Sequence, residues 1–116
     1  MGNLFAKEKN DPKIEGLYLA MKGEKNVDIS ADDREFRTEA QEWSLLHLAV
    51  WFLNIEMIKK LINLGFDLNL RDIHGDTPLH LAAYQNNKEI YEYLINQGAD
   101  DKVKNKEDKT PGEMFP

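Results

Sequence analysis

Cysteine is absent from all 116 residues. That removes disulfides, thiolate nucleophiles and cysteine-ligated zinc, and it fits a reducing compartment. No run is long and apolar enough to span a bilayer, and no secretory leader is visible, so the expected location is the cytoplasm. Basic residues are in the minority: 15 Lys and Arg against 21 Asp and Glu leave a net charge of −6. A protein whose main partner is nucleic acid is expected to carry the opposite balance. There is no glycine-rich phosphate loop and no nucleophile elbow. Carboxylates are so dense that close pairs arise by chance. These gaps leave no catalytic constellation, no metal set and no cofactor motif. The expectation is a non-enzyme without a small-molecule substrate, acting through its surface on another protein.

What is present is a period. The run Asp72-Ile73-His74-Gly75-Asp76-Thr77-Pro78-Leu79-His80-Leu81-Ala82-Ala83 reads as a turn followed by a helix start. Gly75 suits a left-handed turn position. Thr77 is an N-cap, and Pro78 sits at the first helical position, where its missing N–H costs nothing. The small Ala82 and Ala83 let another helix approach closely. A second helix over 88–96 carries Ile90, Leu94 and Ile95 and stops at Gly98. Thirty-three residues earlier the same marks recur as Ser44, His47, Leu48, Ala49, Gly65 and Asp67, with a second helix over 55–64. Thirty-three residues later Asn105, Thr110 and Pro111 repeat the start alone. One such unit is too thin to bury its own apolar face, and a fixed period of this kind marks a stacked solenoid.

A 33-residue period with Thr-Pro-Leu-His-Leu-Ala-Ala and Gly-Ala-Asp closely resembles the ankyrin repeat. The resemblance implies an all-α solenoid with two full repeats, 38–70 and 71–104. A capping helix or partial repeat at 11–37 and a truncated repeat at 105–116 would flank them. Asp11-Pro12 opens the N-terminal helix, with Ile14, Leu17, Tyr18 and Met21 on one stripe and Gly16 as an interior weakness. Asp28 and Asp67 stand 39 residues apart, not 33, so the acidic segment 31–38 is expected to be a lengthened, solvated loop. Glu42 occupies the place of Gly75 and should distort its turn. Asp101 stands where Leu68 stands one repeat earlier, with Val103 as the compensating apolar residue. Thr110 and Glu113 form a capping box that opens a helix. Two full repeats with partial caps are expected to be marginally stable unless a partner or further chain adds to them.

His47 and His80 recur at the period and resemble the family's structural histidine, each tying its repeat to the next turn. The resemblance also implies binding through turn tips and the exposed face of the first helices. The residues expected to contact a partner are Trp43, Trp51, Ile73, His74, Asp76, Tyr84 and Gln85. Trp43 and Tyr84 are the favoured contacts, Trp51 is open between contact and packing, and Phe52 is assigned to packing. An aromatic centre rimmed by Asp76, Glu107 and the acidic loop would suit a partner with apolar anchors and basic flanks. The alternative is a membrane-associated adaptor or regulatory subunit. Residues 1–10 read as a flexible lead in which Gly2 is a candidate N-myristoylation site, although Ala6 replaces the preferred Ser or Thr. That lipid would be the only membrane link.

Overall fold

In the computed structural model, residues 11–116 are described; Gly2 and the rest of 1–10 lie outside them. The helices are α1 Pro12–Lys22, α2 Leu45–Trp51, α3 Ile55–Asn63, α4 Pro78–Tyr84 and α5 Lys88–Asn96, with short 3-10 segments at Ala31–Glu35 and Pro111–Met114. No strand occurs among the described residues. Helices α1, α2 and α4 and the second 3-10 segment stack in sequence as an inner row. Helix α3 backs α2, and α5 backs α4.

Local chemistry sets each start. The N-caps Asp11, Ser44, Thr77 and Thr110 fall 33 residues apart. The first three accept a backbone N–H of the first helical turn through a side-chain oxygen. At Thr110 the Glu113 carboxylate accepts from the Thr110 N–H at 2.8 Å instead. The outer helices start on Asn54 and Asn87, whose amide oxygens accept from Met57 and Ile90. The inner row is almost wholly buried: Leu17 and Met21 of α1, Leu45, Leu46, Leu48 and Val50 of α2, and Leu79 and Ala82 of α4 form one continuous core. Each outer helix is amphipathic, sending Ile58 and Leu61, or Ile90 and Leu94, inward. At about 1.5–3 kcal/mol per large apolar side chain buried, this shared core is what a single unit lacks.

The Asp28–Asp67 mismatch now has a structural account. Because Asp11 is in register with Ser44, α1 occupies an inner-row place rather than lying across the end of the stack. It ends at Gly23, which takes φ 83°, with its N–H and that of Glu24 bonding back to Ala20 and Leu19. The chain then reaches Asp28 six residues sooner after the N-cap than in the later repeats. No outer helix forms there. The six residues reappear before Ser44, and the segment expected as a plain solvated loop holds the 3-10 turn Ala31–Glu35. Ser30 caps it through a reciprocal bond with Asp33, which is buried and also meets Lys13 at 3.7 Å. The expected C-terminal helix is likewise a 3-10 segment, held against the stack by Phe115 edge-on to Tyr91 at 4.9 Å.

The turns repeat their backbone shape more faithfully than their residues. Glu42, Gly75 and Asp108 share a left-handed conformation, with φ of 56°, 76° and 63°. Leu53 and Asn86, again 33 apart, are left-handed after α2 and α4. A Cβ on Gly75 would stand 3.0 Å from the Lys106 nitrogen and 3.2 Å from Asn105 Cα, so this site needs glycine for space as well as φ. Leu53 has neither the conformational freedom of glycine nor burial as compensation, being half exposed. Urea unfolding is therefore expected to show Leu53→Asn stabilising by about 0.5 kcal/mol and Gly75→Ala destabilising by at least about 1 kcal/mol. Unchanged midpoints would refute the strain argument.

Candidate functional site

The turn that begins at Asp72 is built by one carboxylate. Asp72 Oδ1 accepts from the N–H groups of His74 (2.8 Å) and Asp76 (2.9 Å), closing the turn on itself. Its Oδ2 accepts from Trp43 Nε1 at 2.8 Å. Asn105 does the same work one repeat later: its Oδ1 accepts from Glu107 and Lys109, and its amide donates to Asp76 Oδ1 at 2.9 Å. Neighbouring turns also join through their backbones, Ile73 N–H to Gln41 O and Lys106 N–H to His74 O. Arg37 and Arg71 reach across to the carbonyls of Arg71 and Lys104. The turn tips thus form one bonded strip.

The recurring histidines of the inner helices lock that strip to the core. His47 Nδ1 accepts from the Ser44 N–H at 3.1 Å, which leaves Nε2 as the protonated nitrogen donating to Asp76 O at 2.9 Å. His80 repeats the pattern with the Thr77 N–H and Lys109 O. Both rings are fully buried with both nitrogens engaged, so these histidines are structural bridges between repeats.

Between the strip and the inner helices lies a hollow of about 310 Å³. Trp43, Trp51, His74, Asp76 and Tyr84 all line it, so the structure brings together most of the residues expected to contact a partner. The other two fall elsewhere. Ile73 is an exposed turn tip outside the hollow. Gln85 is a tie: its Nε2 donates to Trp51 O at 2.9 Å, and its buried Oε1 has no partner among the described residues.

Trp43 requires a correction. Expected as a favoured exposed contact, it is only 5% exposed, held by Asp72 and packed on Trp51 with ring centroids 5.3 Å apart. Its turn runs from Thr38 to Trp43, one residue longer than 72–76, and the following turn covers the indole. Tyr84, at 60%, is the most exposed large apolar side chain among the described residues, and Trp51 is half-buried. Sequence reasoning missed Asp72, Leu81, Asn105 and Met114 as lining residues. The first and third carried a signal, an Asp and an Asn 33 residues apart at turn starts. Inside the hollow, burial pushes the Asp76 carboxyl above its ordinary value, opposed by the amide donated from Asn105.

A family model described as ankyrin repeats in three copies matches residues 5–110. The chain belongs to the ankyrin-repeat family. The match takes in the α1 segment, in keeping with the register of Asp11. No curated protein matches the sequence.

Two consequences of this ankyrin-repeat architecture can be measured. Burial drives His47 down from 6.5 to about 4. Between those values the unfolded imidazole binds a proton that the folded one refuses. Stability is therefore fully retained above pH 6.5 and falls as pH drops through the window, by up to about 3 kcal/mol. Nitrogen-15 shifts should show His47 as the neutral Nε2–H tautomer at pH 5, and titration near 6.5 would contradict the bridge. Trp43→Phe should cost about 1–3 kcal/mol in urea unfolding, because it strips a donor from buried Asp72.

Proposed function

We propose that this chain is a protein-interaction module that docks a segment of a partner protein at the hollow between its turn strip and inner helices. Ankyrin repeats are generally protein–protein interaction modules. The observation that carries the reading is the convergence of two accessible aromatic rings, Trp51 and Tyr84, on a concave site whose frame is hydrogen-bonded from turn to turn. The backbone strip, the histidine bridges and the Asp72 and Asn105 turn bonds hold the hollow open without any ligand. Little ordering cost therefore falls on this side of the interface. An exposed tyrosine beside a half-buried tryptophan is the composition from which interface hot spots are made.

The act proposed is binding without chemistry. The buried imidazoles of His47 and His80 are engaged in backbone bonds, and the buried carboxylate Asp72 is consumed in holding its turn and Trp43. His74, which lines the hollow, has no serine, threonine or cysteine nucleophile there to work with. Among the described residues no helix is long and apolar enough to cross a membrane.

Tyr84 is the informative substitution, because Trp43 is part of the frame and its loss would confuse folding with binding. Tyr84→Ala should weaken a captured partner at least tenfold, about 1.4 kcal/mol, while the circular-dichroism melt stays within about 0.5 kcal/mol of wild type. Ile73→Ala, outside the hollow, should weaken it less. Partner affinity indifferent to Tyr84 would remove the hollow as the docking site.

A further inference from the structure

The hollow is more specific than an apolar patch, and this deepening rests on the docking reading above. Asp72 and Asp76 line it together with the aromatic rings, and Glu107 stands on its rim. Asp72 is spent: Oδ1 serves two turn N–H groups and Oδ2 holds the Trp43 indole. Asp76 is different. Its Oδ1 takes the Asn105 amide, whereas its Oδ2 receives no hydrogen bond among the described residues, and Asp76 lines the hollow. Neither carboxylate is ion-paired among the described residues, although Lys106 lies on the rim. Asp76 is thus a half-buried carboxylate with one oxygen free of hydrogen bonds and no ion pair, in a hollow that Trp51, Tyr84 and His74 also line.

We propose that the hollow receives one basic side chain, lysine or arginine, from an extended segment of a partner protein. Its charged head would meet Asp76 Oδ2 and its aliphatic stem would lie along Trp51 and Tyr84. Size supports a single side chain: about 310 Å³ is at the small end of ligand sites, far short of a helix about 10 Å across. Chemistry supports a basic one. Aromatic faces attract cations, long basic side chains cover apolar surface with their stems, and charge-assisted bonds to carboxylate are the strong ones. The net charge of −6 steers such a segment in, and Glu107 on the rim adds to the local field.

The test is a selection that does not presuppose the partner. The whole chain is immobilised and a random dodecapeptide phage library is enriched on it, then counter-screened on Tyr84→Ala. Peptides that bind wild type and are lost on Tyr84→Ala are the ligands of the hollow. They are expected to share a lysine or arginine at one fixed position. Replacing that residue by norleucine or citrulline should cost at least tenfold in affinity on wild type, read by the emission of the chain's two tryptophans, both of which line the hollow. On Asp76→Asn, which keeps an oxygen for Asn105, the same replacement should cost less than threefold. Hollow-dependent peptides without a fixed basic residue would overturn the cation proposal while docking stands. So would a basic residue worth as much on Asp76→Asn as on wild type. Failure to recover any peptide that depends on Tyr84 would overturn both readings.

Discussion

The structure depends on a buried imidazole that bonds at both ends. In His47 and His80 one ring nitrogen accepts from the cap of its own helix and the other donates to a carbonyl 29 residues ahead. Neither bond can be given up cheaply, because each nitrogen would then be buried without water or partner. A local cap and a long-range contact therefore form together. The carbonyl that His47 holds belongs to Asp76, so the core interaction also aims the side chain that faces the hollow. Site geometry is here a by-product of repeat-to-repeat adhesion.

The turns add a second, lateral constraint. Asp72 and Asn105 close their own turns and reach into the neighbouring one, while Arg37 and Arg71 donate to carbonyls of the turn that follows. Asp72 and Asn105 would be costly alone where they are buried, and each is satisfied in part by the preceding repeat, as Arg37 and Arg71 are by the following one. Coverage by the following repeat explains a gradient along one register position. Trp43 is buried, Asp76 is half-buried and Lys109 is exposed. The same position in the period changes from frame to site to rim.

Much of this was legible in residue order. The 33-residue period, the Ser and Thr caps, the glycine stops and the recurring histidines are local or periodic signals, and local signals survive in a sequence. Trp43 was misjudged because an indole reads as accessible or buried only once its cover is known, and its cover is a carboxylate 29 residues away. The segment 31–38 reads as a solvated loop because Asp28 lies out of phase, whereas the in-phase mark is Asp11. A missing outer helix and a lengthened connection cancel in the residue count, so only the packing of α1 against α2 separates them. Gln85 looked like a contact and proved to be a tie, since a side-chain amide can serve either role.

By itself, the sequence determined the architecture, because caps, glycine stops and apolar stripes act through neighbours within a few residues and repeat at a fixed interval. Tertiary structure decided which of the marked side chains remain available. Stacking covers Trp43, leaves Tyr84 bare, uses both oxygens of Asp72 and leaves one of Asp76 unused. Exposure and the satisfaction of polar atoms are properties of what the neighbouring repeat places against a residue, and no local window of the chain contains that information.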